Sequence, residues 1–126
     1  MSENLPARSP SAAILVVDDE AEILDLLRAV LEDEGYQVLT ASSSTAALAR
    51  IQQNPVALVL TDLMMPQGSG LELARQIRSD PQIAGIPIVL MSAAMPQKVS
   101  QLFTRVIHKP FSLDIVLDMV HQLLGH

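Results

Sequence analysis

Three short apolar runs do most to limit what this chain can fold into. Ala13-Ile14-Leu15-Val16-Val17, Val56-Ala57-Leu58-Val59-Leu60 and Pro87-Ile88-Val89-Leu90-Met91 each stop abruptly at a polar residue. Runs this short and this β-branched read as strands covered on both faces, since a strand with one wet face would alternate. Between them the apolar spacing becomes helical. Ile23, Leu26, Leu27, Val30 and Leu31 form one stripe; Ala47, Leu48 and Ile51 form a second; Leu71, Ala74 and Ile77 form a third. Such stripes belong to helices lying on a sheet. Two weaker strands, Tyr36 to Thr40 and Thr104 to Ile107, and a last helix with Leu113, Val116, Leu117, Val120, Leu123 and Leu124 complete the pattern. Strands that alternate with helices must be parallel and joined by right-handed crossovers. The expected fold class is therefore α/β, a doubly wound five-stranded parallel sheet.

The punctuation agrees with these elements. Gly35 stands where the first helix needs a left-handed residue to end it. Ser42 to Ser44 offer N-caps to the second helix, and Asn54-Pro55 stops it. A loop with Pro66, Gly68 and Gly70 precedes the third helix, which ends near Ser79-Asp80-Pro81. Residues 1–11, with Pro6 and Pro10 and no periodicity, are expected to be a flexible leader, leaving 12–126 as a single domain. A chain of 126 residues that is 49% hydrophobic can bury a core without covalent staples.

Composition removes several functions. The absence of cysteine excludes disulfide frameworks, thiol nucleophiles and cysteine-bound zinc, and it fits a reducing compartment. A net charge of −6 argues against direct nucleic-acid binding. Aromatic residues make up only 2%, too few to stack a flavin or bases. No apolar run approaches the roughly 20 residues that span a bilayer, and no basic segment precedes an apolar one at the N-terminus. The expected location is cytoplasmic, without membrane insertion.

In doubly wound sheets, ligands bind beyond the carboxyl ends of the strands. The notable polar residues all fall there: Asp18 and Asp19 after the first strand, Asp62 after the third, Ser92 after the fourth and Lys109 after the fifth. Each alone has an ordinary use, as a helix cap, a loop residue, a turn hydroxyl or a solvated lysine. Their convergence on one edge does not. Two like charges about 4 Å apart repel by about 4 kcal/mol at an effective dielectric near 20. Three clustered carboxylates therefore call for a counter-charge, and a hard divalent cation with oxygen ligands suits them. Mg²⁺ commonly shares its shell with phosphate oxygens, so the cluster reads as a metal-assisted phosphoryl site.

The order Asp18-Asp19, then Asp62-Leu63-Met64-Met65-Pro66 with Gly70, then Ser92-Ala93, then Lys109-Pro110-Phe111 resembles the receiver domain of two-component response regulators, from Ala13 to about Leu124. The resemblance implies a flavodoxin-like sheet of order 2-1-3-4-5 and a role for each residue. Asp62 would be the phosphoacceptor. Asp19, Asp62 and the Met64 backbone carbonyl would ligate Mg²⁺ or Mn²⁺, with Asp18 acting through a metal-bound water. Ser92 and Lys109 would hold the acyl phosphate, and the Lys109-Pro110 peptide would be cis. The implied phosphoryl donor is a sensor histidine kinase or a histidine phosphotransfer protein, and the implied output is a switched protein-interaction surface. No enzyme activity is implied beyond the domain's own phosphorylation and dephosphorylation.

Two departures concern the output face. Receivers usually carry Tyr or Phe three residues before the lysine, where this chain has Val106. The sixteen residues between Ser92 and Lys109 are also few, so the fourth helix is expected to be short or irregular. The sequence closes just after the last helix, so no output domain is expected within it; it reads either as a stand-alone receiver or as part of a longer regulator. The rival reading is a receiver-shaped interaction module that works without phosphate. No residue of the acidic site is lost, which weighs against it.

Overall fold

The structure is a computed structural model that describes residues 12–65, 68–93 and 101–125. The elements run β1 (Ala13–Val17), α1 (Ala21–Asp33), β2 (Val38–Ala41), α2 (Ser44–Gln53), β3 (Val56–Asp62), β4 (Met64–Met65), β5 (Gly68–Ser69), α3 (Gly70–Ser79), β6 (Ile88–Ser92), β7 (Arg105–His108) and α4 (Leu113–Leu124). Five strands form one sheet in the order β2-β1-β3-β6-β7, and every pairing in it is parallel. Counting those five alone, the order is 2-1-3-4-5, as expected.

Both faces of the sheet are dry. Ile14 and Val16 of β1 join Leu58, Leu60, Val89 and Met91 under Leu27 and Leu31 of α1 and Val116 and Val120 of α4. The alternate residues Leu15 and Val17 join Val59 and Ile88 under Ala47 and Ile51 of α2 and Leu73, Ala74 and Ile77 of α3. This two-residue alternation explains why the strands read as unbroken apolar runs. Each fully buried Leu or Val contributes about 1.5–3 kcal/mol relative to leaving it in water.

Serine hydroxyls start three of the helices. Ser43 accepts from the Ala46 N–H, Ser69 from Glu72 and Ser112 from Ile115. The first helix is different: Glu20 stands at its N-cap with no side-chain cap bond, so neither Asp18 nor Asp19 caps it. Both are left for other work. At the other end of α1, Gly35 adopts φ +95° and Tyr36 returns its N–H to the Leu31 carbonyl. That bond holds Tyr36 to the helix end, so β2 begins at Val38 and not at Tyr36. Leu26 belongs to the apolar stripe by spacing, yet it is 46% exposed. Ile23, Leu24, Leu27 and Leu31 fill the buried face, and Leu26 lies beyond its margin.

Two details concern the β3–α3 and β6–β7 connections. Met64 and Met65 pair antiparallel with Ser69 and Gly68, a small ladder where the sequence suggested only a loop. Between β6 and β7, the short helix expected from the spacing falls on residues 94–100, outside the described residues; the described ones there contain no helix. The Arg78 guanidinium ties down the far side of that connection. It donates to the carbonyls of Leu102, Ala84 and Ile86. Thr104 beside it exchanges bonds with Ile88 through its N–H and its hydroxyl, seating the start of β7 against β6.

Candidate functional site

The register of the sheet brings the polar strand ends together. Val17 pairs with Thr61, Asp62 with Met91, and Ser92 with His108. Beyond the last pairs the Asp18 N–H still bonds the Ala41 carbonyl at 3.1 Å, and the Lys109 N–H bonds the Ser92 carbonyl at 2.9 Å. Asp18, Asp62, Ser92 and Lys109 thus stand side by side along one edge. Carboxylate oxygens of Asp18, Asp19 and Asp62 lie within 4.8 Å of one another. The Lys109-Pro110 peptide is cis.

Burial divides the acidic trio. Asp18 is fully buried, and both its oxygens are engaged: Oδ1 by the Glu20 N–H at 2.9 Å, Oδ2 by Lys109 Nζ at 2.9 Å. Asp19 is exposed. Asp62 is half-buried; its Oδ1 accepts from the Leu63 N–H at 2.9 Å and lies 3.5 Å from Lys109 Nζ. Glu20 adds a more distant carboxylate, 3.8 Å from the same ammonium. Ser92 is buried at the end of β6. Met64 opens β4 two residues after Asp62, with Leu63 between them.

The charges strain against one another. Burial pushes the Asp62 carboxyl above its ordinary range; Lys109 opposes this, the Asp18 charge adds to it, and the Leu63 amide opposes it. Burial disfavours the Lys109 ammonium, but its bond to Asp18 and the charges of Asp18, Asp62 and Glu20 outweigh that, leaving its pKa raised. Asp18, Asp19 and Asp62 beside one ammonium leave two negative charges uncompensated, before the more distant Glu20 is counted. A hard divalent cation matches that deficit and prefers such oxygen donors, so the residues present fit Mg²⁺. Asp18, with one oxygen held by the Glu20 N–H and the other by Lys109, is the least suited of the three to direct ligation.

Two neighbours of Asp62 gain roles here: Gly70, already part of the motif but with no role assigned, and Thr61, which sequence reasoning missed. Gly70 lies so close to the Asp62 carbonyl that an added Cβ would fall inside van der Waals contact with its oxygen. The Gly70 N–H also bonds the Leu63 carbonyl at 2.8 Å. Thr61, fully buried, donates its hydroxyl to the Asp62 carbonyl at 2.9 Å. The available signal for Thr61 was the polar residue at which a buried run ends, which looks like ordinary β-propensity. Glu20 was hidden differently, since nothing in its sequence surroundings pairs it with a lysine so far along the chain.

A doubly wound sheet with clustered acids and a lysine beyond its strand ends defines a class of signalling domain, and the comparisons with known proteins agree. Residues 14–121 match the response regulator receiver domain, and the chain belongs to that family. It is 35% identical over 116 residues to response regulator RR06 of Streptococcus pneumoniae, covering 88% of this chain and 52% of RR06. It is 41% identical over 80 residues to the phosphate regulon transcriptional regulatory protein PhoB of Pseudomonas aeruginosa, covering 64% of this chain and 35% of PhoB. The chain thus spans about half or less of the length of these relatives. Among solved structures, the response regulator TrrA of Thermotoga maritima, in complex with Mg²⁺-BeF, superposes with a TM-score of 0.79 at 33% identity, over 89% of this chain and 98% of TrrA. The chemotaxis response regulator CheY4 of Vibrio cholerae gives 0.82 at 27% identity, over 90% of this chain and 98% of CheY4.

Proposed function

We propose that residues 12–126 form a receiver that takes a phosphoryl group onto Asp62 from a phosphohistidine, on a sensor histidine kinase or a histidine phosphotransfer protein. The observation that carries this reading is the convergence of three carboxylates within 4.8 Å beside an ammonium 3.5 Å from Asp62. In the step itself, an Asp62 carboxylate oxygen forms a bond to phosphorus while the P–N bond breaks, and the imidazole leaves with the electron pair and takes up a proton. Asp19, Asp62 and the Met64 carbonyl would hold Mg²⁺ or Mn²⁺, with Asp18 reaching it through a water, and the bound ion would supply positive charge to the phosphoryl oxygens. Lys109 offers a second positive charge, and Ser92 a hydroxyl donor, from adjoining strand ends. The TrrA complex with Mg²⁺-BeF supports the same combination of metal and anion in this family.

Transfer changes Asp62 from one negative charge to nearly two and adds strong acceptor oxygens. Lys109, which sits closer to Asp18, is then drawn toward a stronger anion. Its backbone is bonded to Ser92, so the pull acts on two strand ends at once. That shift biases a protein-interaction surface toward a downstream protein partner. A cytoplasmic setting fits this chemistry, and among the described residues no helix is long and apolar enough to cross a membrane.

The test is incubation with acetyl phosphate and Mg²⁺, followed by intact mass. Wild type should gain one acid-labile phosphoryl group that Asp62→Asn lacks. An unchanged mass in the wild type would favour an interaction module that works without phosphate, and label surviving in Asp62→Asn would move the acceptor elsewhere.

A further inference from the structure

We propose that Thr61 is a positioning residue for Asp62: its buried hydroxyl sets the rotation of the Asp62–Leu63 peptide, and that peptide sets the carboxylate. The inference rests on the reading of Asp62 as phosphoacceptor. Thr61 follows the apolar stretch of β3, directly before Asp62, and is completely buried. Its Oγ1 donates to the Asp62 carbonyl oxygen at 2.9 Å. At the other end of the same peptide unit, the Leu63 N–H donates to Asp62 Oδ1, also at 2.9 Å.

A trans peptide is planar, and its C=O and N–H point to opposite sides. Holding the oxygen therefore aims the N–H. Rotating the plane to release one bond misdirects the other. The next peptide is anchored as well, because the Leu63 carbonyl accepts from Gly70. Gly70 in turn leaves the Asp62 carbonyl no room to swing toward α3. The carboxylate is thus steered from its own backbone, and Thr61 is the side chain that holds that backbone from the strand side.

The steering makes the two carboxylate oxygens unequal. The Leu63 N–H and the Lys109 ammonium both approach Oδ1. In-line phosphoryl transfer depends on the direction of the attacking oxygen, so a carboxylate fixed in advance reacts faster than one free to turn.

A competing account makes Thr61 a β-branched strand former whose hydroxyl is merely satisfied. Valine would serve that purpose equally, and there the two accounts part. The experiment compares wild type, Thr61→Val and Thr61→Ser. Phosphoryl uptake from acetyl phosphate with Mg²⁺ is measured below each unfolding midpoint, and the Leu63 amide resonance is recorded in metal-free protein. Thr61→Val should lower the maximal rate about tenfold while the half-saturating acetyl phosphate concentration stays put. It should also move the Leu63 amide resonance, and Thr61→Ser should restore both. A wild-type rate in Thr61→Val, an unmoved Leu63 amide, or a loss that serine does not restore would overturn the proposal. Should the valine variant not fold, Thr61→Cys carries the same comparison with a weaker donor. A wild-type protein that takes up no phosphoryl group overturns the phosphoacceptor reading instead, and the Leu63 amide still decides the geometry.

Discussion

Lys109 Nζ stands 2.9 Å from Asp18 Oδ2 and 3.5 Å from Asp62 Oδ1, so the ammonium is held more closely by a buried neighbour than by the candidate phosphoacceptor. Asp18 has no exposure to water, and Lys109 is its charge partner. Removing one member of such a pair leaves the other buried and uncompensated. Lys109→Met should therefore destabilise the metal-free protein by about 3 kcal/mol, read from urea unfolding. Adding Asp18→Asn to it should recover part of that loss, with a coupling of about 1 kcal/mol or more in the double-mutant cycle. Additive losses would show that the pair contributes nothing as a pair.

Metal binding should follow the ionisation of Asp62. Burial, reinforced by Asp18, raises its carboxyl above the ordinary value. A group raised in the folded state contributes stability below its unfolded pKa and loses it as pH rises through the folded one. Metal-free protein therefore loses this contribution as pH rises from the ordinary carboxylate range through the raised value of the folded state, while Mg²⁺, which needs the carboxylate charged, binds better over the same range. The difference in unfolding free energy with and without Mg²⁺ should grow with pH, reaching about 2.7 kcal/mol when Mg²⁺ is present at about 100 times its Kd. Thermal melts across that range check it. Asp62→Asn should flatten the pH dependence and weaken Mg²⁺ binding, and equal affinity in the two proteins would remove Asp62 from the ligand set.

Gly70 is a steric requirement of the site. Its Cα approaches the Asp62 carbonyl, so Gly70→Ala must displace backbone on one side or the other. The expected cost is about 1–3 kcal/mol in urea melts. Phosphoryl uptake should fall further than stability alone accounts for, because the displaced atom belongs to Asp62. Uptake that simply tracks the folded fraction would contradict this.

Arg78 should matter far from the chemistry. Its three carbonyl partners come from the α3–β6 loop and from the segment entering β7, and burial lowers its pKa. Lysine at this position keeps a charge but not the forked donor geometry. Arg78→Lys should cost about 2 kcal/mol, and amide exchange at Ile88 and Thr104 should accelerate before exchange in β1. Uniform acceleration across the sheet would mean that Arg78 supports the whole fold and not this corner.

The strand ends were legible in the sequence because burial on both faces leaves no alternation to misread. β1, β3 and β6 announce themselves, and so do the acids that follow them. The same logic placed Lys109 and Ser92 at the working edge. Other features depend on contacts that have no sequence period. Lys109 meets Asp18 across 91 positions, and Arg78 meets Leu102 across 24. The hydroxyl of Thr61 is invisible until its peptide plane is known. Leu26 shows the opposite failure: helical spacing marked it as inward, but a helix on a sheet buries a limited arc, and Leu24 takes that place.

The parallel register that aligns Thr61 with Val17, Met91 with Asp62 and His108 with Ser92 has one more consequence. Side chains reverse direction at every residue, so slipping any of these strands by one position would turn its buried set inside out and carry its terminal polar group away from the others. No compact but mis-threaded form of the chain can assemble the acids and the lysine. On the proposed reading, uptake of a phosphoryl group then acts as a checksum on the whole sheet: only molecules whose four contributing strands are correctly aligned can carry the signal, and badly folded copies stay silent.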